Sequence, residues 1–344
     1  MRLDVAGWAH REAGGRAPSS MWMRPLRVAI SIALLGILAV SVEHRELLRA
    51  LASVDFGPFG IACLLPPLGR LLVASRWHAL LVAQGVCYSY ADLLRIVWVS
   101  SFLGGFLPAT VGVDAARFVG ASRARTKKAA IAASIVFERT SGLVALSFMI
   151  VVGAAALPDT FATAPLLWTS AALLAVTALP VLVLWSGFVS APVRWLLARA
   201  GSGRPAELLR SLWQALALRP PVGTMLRVLV LACGGQLVRV GAVYFCSRAL
   251  ALPLSFTDLL LVVPIVLFVS LLPLSIGGWG VREATLVVLV RSLGLSPTDA
   301  LALALIARVP HLLSGGVGGL IFLFLGLMPR WQEPSTRGRE DAAP

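Results

Sequence analysis

Two doublets of opposite charge stand inside long apolar stretches of this chain, Glu138-Arg139 and Arg282-Glu283. An ionisable group at bilayer depth costs about 2.5–3.5 kcal/mol on insertion scales, so such groups persist where they pair or line a wet cavity. Asp114, Arg117, Arg70, Arg76, Arg239 and Arg308 lie in similar surroundings and join the set. Guanidinium matches phosphate oxygens in a two-point fork. Arg70, Arg117, Arg139, Arg282 and Arg308 are therefore candidate phosphate ligands, with Asp114, Glu138 and Glu283 holding them apart or receiving an amine or sugar. The competing reading is a set of ion pairs that lock a helix bundle. For Glu138-Arg139 both readings stand. Arg282-Glu283 follows a glycine-rich break, which favours binding. Neighbours on a helix point about 100° apart, so neither doublet need pair with itself. Pairing across the chain, Glu138 with Arg282 and Glu283 with Arg139, is equally reasonable. Arg76, Arg227 and Arg248 stand near the ends of apolar runs, where snorkelling is expected. His311, alone on an apolar helix, is expected to pack rather than to bind.

The charges sit beside two matching breaks. Leu107-Pro108-x-x-x-Gly112-x-x-x-x-Arg117 has the spacing of Leu272-Pro273-x-x-x-Gly277-x-x-x-x-Arg282. Each follows an apolar run and precedes an alanine-rich helix with an internal arginine, Arg139 or Arg308. The P-x-x-x-G pattern is common in membrane chains, but the shared context favours a true repeat. The turns at Gly104-Gly105 and Gly277-Gly278, the latter running on to Gly280, would bring backbone N–H groups or a helix N-terminus to the same anion.

The elements that must position these residues are membrane helices. Of 344 residues, 58% are hydrophobic and 13% charged, against about 45–50% and about 25% in soluble domains. Runs such as Val28–Val42, Leu166–Trp185 and Leu259–Leu274 have the length that a bilayer span demands. An all-α polytopic membrane protein is expected, without a large soluble domain. The 30 basic residues against 16 acidic ones cluster at the ends of apolar runs, which points to positive-inside topology and anionic lipid rather than to nucleic acid. Cys63, Cys87, Cys233 and Cys246 form no C-x-x-C pair and have no histidine at ligand spacing, so neither a metal nor a cofactor is expected.

Residues 1–24 read as a polar extension, 25–328 as one membrane domain and 329–344 as a polar tail. Within the domain, halves at about 57–186 and 222–328 flank a basic, surface-lying segment, 187–221. The first apolar run, to about Val42, reads as an uncleaved span rather than a signal peptide. A third apolar run, about 93–107, precedes Ala115–Lys128, a basic stretch expected in the cytoplasm. A full crossing there would put that stretch outside. The conflict vanishes if 93–112 dips into the membrane and returns, which suits its glycines and proline provided protein or water satisfies the backbone. The same behaviour at the second break leaves six full spans and two re-entrant helices, against eight plain spans. It also inverts one half relative to the other, a recurring transporter plan. Both termini are then cytoplasmic, Ser122 faces inside and Thr298 outside.

The stretches Leu107–Arg117, Glu138-Arg139 and Gly277–Glu283 resemble the lysylphosphatidylglycerol synthase transmembrane-region family, over roughly residues 25–328. Where that family commonly reads Gly-Gly-Asp, this chain has Gly112-Val113-Asp114. The resemblance implies lipid handling or translocation in the cell membrane. The absence of a soluble aminoacyl-transferase segment argues against lysyl transfer. The leading expectation is a flippase or transporter for a phosphate-bearing lipid, with anionic or phosphate-bearing membrane lipids as partners. The alternatives are a non-catalytic partner of a neighbouring lipid-modifying enzyme and a membrane-embedded glycosyl or lipid transferase. No catalytic motif stands out: Gly120-Ala121-Ser122 is followed by Arg123 in a basic loop, which disfavours a protease.

Overall fold

A computed structural model describes residues 44–104, 109–122, 128–156, 164–186, 190–199, 204–271 and 279–325, with isolated positions between 29 and 42. Gly105, Pro108, Pro273, Gly277, Gly278, the polar extension, most of the first apolar run and the tail lie outside the described residues. All regular structure among the described residues is helical. The chain is a polytopic helical membrane protein. The helices are α1 (His44–Ala52), α2 (Phe56–Ala83), α3 (Tyr90–Gly104), α4 (Ala109–Ala121), α5 (Lys128–Ala156), α6 (Ala164–Ser186), α7 (Ser190–Arg199), α8 (Arg204–Ala217), α9 (Val222–Ala249), α10 (Phe256–Val269), α11 (Val281–Arg291), α12 (Pro297–Ile306) and α13 (Val309–Leu325).

Local chemistry sets the starts of several helices. The Asp55 carboxylate accepts from Gly57 N at 2.8 Å and caps α2. Ser255 and Asp258 form a capping box on α10. Ser296 caps α12, with Pro297 in the first turn, where its missing N–H costs nothing. Among the described residues, α2, α5, α9 and the stretch Pro297–Leu325 are long and apolar enough to cross a bilayer.

That last stretch is not the single helix expected from the apolar run at about 300–328. It breaks at Ala307-Arg308, between α12 and α13. Pro310 explains the break: a proline lacks the N–H for the preceding turn and disfavours helical backbone just before it. A second correction concerns Ala115–Lys128. Helix α4 runs on to Ala121 and buries Ala116, Arg117 and Ala121, so the basic connection is shorter and Arg117 does not belong to it.

The helices fall into two sets of like design. The numbering shift that takes Arg117 onto Arg282 takes α2 onto 221–248, offset by one residue from α9, Val222–Ala249. It takes α3 onto 255–269, where α10 is Phe256–Val269, and α5 onto 293–321, where α12 and α13 span 297–325. The packing repeats as well. Helix α10 lies against α5, and α3 against α13. A Cβ on Gly153 of α5 would stand 2.8 Å from Leu261 N and 2.9 Å from Leu260 O. The same shift takes Gly153 onto Gly318 of α13, where a Cβ would run into the Trp98 carbonyl, 2.9 Å from its carbon. Glycine lets the backbones meet at both places.

Helices α2 and α9 share the most extensive packing and run antiparallel. Asp55 N donates to Ala249 O at 2.8 Å at one end, and Gln84 Nε2 donates to Leu218 O at 3.1 Å at the other. Each set has its own core. Trp77, Leu93, Ile96 and Ile131 are buried together in the first. Val243, Leu259, Val290 and Leu303 are buried together in the second. The Tyr88 hydroxyl donates to Ala121 O, so the α3–α4 hairpin begins and ends at one place.

Candidate functional site

A cavity of ≈ 100 Å3 opens along the α2–α9 seam. Its wall includes Gly69, Arg70 and Arg76 from α2, Gly235 and Arg239 from α9, and His311 from α13. Gly69 and Gly235 leave the space that side chains would fill; a Cβ on Gly235 meets nothing within 4 Å. Among the described residues, no carboxylate lines it. Arg70 donates to the Ser101 hydroxyl, and Arg239 Nη1 to Gln236 Oε1 at 3.1 Å, so both have neutral partners. His311 Nδ1 is buried with no hydrogen-bond partner among the described residues. Arg282 and Arg308 stand within electrostatic reach of His311, and Arg282 also of Arg239. An anion entering this space meets guanidinium groups from both sets of helices.

The carboxylates lie beside the cavity rather than in it. Glu138 Oε2 accepts from Arg117 Nη1 at 2.8 Å, and Oε1 from Arg76. Arg76, Arg117 and Glu138 are 7%, 5% and 5% exposed, so this triad is a desolvated joint tying α2 and α4 to α5. Trp77 supports it: its indole N–H donates to Ser134 Oγ at 3.0 Å, and the Arg117 guanidinium lies 5.5 Å from its ring centre. Asp114 accepts two parallel bonds from Arg139, both 2.7 Å. Glu283 caps α11 through Gly280 N at 2.7 Å and faces Arg308 Nη1 at 3.3 Å. Arg308 also lies 4.1 Å over the Trp279 ring.

The cross-pairs Glu138–Arg282 and Glu283–Arg139 do not form; each carboxylate pairs inside its own set of helices. Arg76 does not snorkel but is buried against Glu138. Arg227 and Arg248 are exposed, as snorkelling requires. His311 is not a plain packing residue but part of the cavity wall. Of the five candidate phosphate ligands, Arg70 lines the cavity, Arg282 and Arg308 stand near it, and Arg117, Arg139 and Arg308 are held in ion pairs.

Sequence reasoning placed Arg239 in the set of charges at membrane depth but not among the candidate phosphate ligands, and gave Gln236 no role. The signal was there: Gln236 and Arg239 are three apart on an apolar helix and so share a face. His311 follows Arg308 at the same spacing. The Val113 departure has a local explanation. Gly104 faces Val113, and a Cβ on Gly104 would run into its side chain. A glycine on α3 thus provides the close approach that a glycine at 113 would otherwise give α4.

No group of three or more His, Cys, Asp or Glu able to hold a metal occurs among the described residues. No curated protein matches the chain. The sequence model of the Lysylphosphatidylglycerol synthase TM region family matches residues 25–319, nearly the whole membrane portion. With that match, the repeated break motifs and the membrane helices around them, the chain belongs to this family and is an integral membrane protein of lipid metabolism.

Proposed function

We propose that the protein is a flippase, moving a lipid by its phosphate-bearing head group through the arginine-lined space between two inverted repeats. The observation that carries this reading is the α2–α9 cavity, walled by Arg70, Arg76, Arg239 and His311 with no carboxylate among the described residues. Arginines in an enclosed, low-dielectric site bind phosphate through charge-assisted forks. The repeat supports the same reading. Corresponding helices α2 and α9 run antiparallel, as inversion requires, and transporters commonly bind at the interface of inverted repeats. The α3–α4 hairpin, with its ends tied by Tyr88, fits a re-entrant element. The orientation that fits has both termini in the cytoplasm of a cell membrane.

The test is lipid scrambling in proteoliposomes with head-group-accessible fluorescent phospholipids. Wild-type protein should accelerate inward movement over empty vesicles. Arg239→Ala and Arg282→Ala should each slow it about tenfold, the loss of one hydrogen bond to a charged group. Wild-type rates equal to those of empty vesicles would overturn the proposal, as would rates unchanged in both variants.

A further inference from the structure

The charges around the cavity do not balance, and the imbalance bears on which head group it takes. Seven arginines stand in or beside the site (Arg70, Arg76, Arg117, Arg139, Arg239, Arg282 and Arg308) against three carboxylates. Every carboxylate is already engaged: Glu138 by two arginines, Asp114 by Arg139 through both oxygens, Glu283 by Arg308. Arg70, Arg239 and Arg282 have no carboxylate partner among the described residues, and neither break segment, 105–108 or 272–278, contains an acidic residue. The unpartnered Nδ1 of His311 stands in the same place.

Two guanidinium groups on the cavity wall without a carboxylate partner, Arg70 and Arg239, are costly at low dielectric. A phosphodiester carries one negative charge and would leave one of them uncompensated. A phosphomonoester carries about −1.5 to −2 at neutral pH, and a diphosphate more. A head group with a net positive amine would be repelled. We infer that the cavity between α2 and α9 takes a lipid ending in a terminal phosphate, a phosphomonoester or a diphosphate, and rejects cationic aminoacyl head groups, the lysyl ester in the family's name included. Arg70 and Arg239 supply the charge from the cavity wall, with Arg282 nearby, and His311 a further polar contact to phosphate oxygen. This assignment rests on the reading of the cavity as a lipid head-group site.

The experiment is direct binding to the purified full-length protein in neutral detergent, by native mass spectrometry. The probes are dioctanoyl phosphatidate, dioctanoyl phosphatidylglycerol, dioctanoyl lysylphosphatidylglycerol and inorganic phosphate. Phosphatidate should bind about tenfold tighter than phosphatidylglycerol, one extra charge-assisted contact, and the lysyl lipid should show no binding. Arg239→Gln and, separately, Arg70→Gln should narrow the gap between phosphatidate and phosphatidylglycerol. The wild-type series decides the matter even if a variant fails to fold. Equal affinity for the two anionic lipids, or tightest binding of the lysyl lipid, overturns the inference. Inorganic phosphate binding as tightly as phosphatidate overturns the lipid as the source of the phosphate. Selective phosphatidate binding without scrambling in vesicles sustains this head-group class while removing the flippase reading. Equal scrambling of both anionic lipids does the reverse.

Discussion

Glu138 is the residue on which the first set of helices closes. It offers one oxygen to Arg76 of α2 and the other to Arg117 of α4. Replacing it with glutamine leaves two buried guanidinium groups without an anion, the situation in which breaking a buried pair costs about 3–5 kcal/mol. Glu138→Gln should therefore lower the thermal unfolding midpoint in detergent markedly. Asp114→Asn should do less, because it leaves one guanidinium without its anion rather than two, and its pair with Arg139 is less buried, 24% and 36% exposed at the side chains. Equal losses in the two variants would contradict the ranking. The importance of Glu138 and Arg139 was legible in the sequence from charge inside an apolar run. Their partners were not. Arg76 and Arg117 lie 62 and 21 residues away in the chain, and which of several arginines meets a carboxylate depends on how each helix is rotated.

Between helices, glycine decides how near the backbones come. Gly153 takes the backbone of α10 at Leu260-Leu261, and Gly318 takes that of α3 at Trp98. A leucine at either position would press on backbone, which cannot move aside as a side chain can. Gly153→Leu and Gly318→Leu should each destabilise by about 1–3 kcal/mol or more, as overpacking does. Gly316, two residues from Gly318, has nothing within 4 Å of its virtual Cβ. Gly316→Ala should leave stability unchanged or raise it by up to about 1 kcal/mol through helix propensity. Unfolding curves of the three proteins read both effects, and a Gly316→Ala loss matching Gly318→Leu would refute the distinction. The repeated break motif pointed to a duplication from sequence alone. The equivalence of Gly153 and Gly318 was hidden, since glycines are common in membrane helices and only a neighbouring backbone singles these two out.

For the whole molecule, the packing already says which connections share a side. Thr298 Oγ1 donates to Glu46 Oε2 at 3.4 Å, joining the start of α12 to α1. Gln84 and Leu218 join the opposite ends. Membrane-impermeant maleimide should therefore reach exposed Cys87 from the cytoplasmic side only. In a Cys87→Ser background, a cysteine at exposed Ser292 should label only from outside. Labelling of both from one face would defeat the six-span, inverted arrangement.

Hydropathy, charge distribution and the two Pro/Gly break motifs determined on their own that the chain is a helical membrane protein and which family it joins. These are local properties, written in composition and short spacings. Tertiary structure alone decided that α2 and α9 meet face to face, that each carboxylate pairs within its own set of helices, and that Arg239 and His311 complete a cavity with Arg70. The reason is geometric. A helix turns each successive side chain by about 100°, so a small rotation of one helix against another changes every long-range partner while leaving the local pattern untouched.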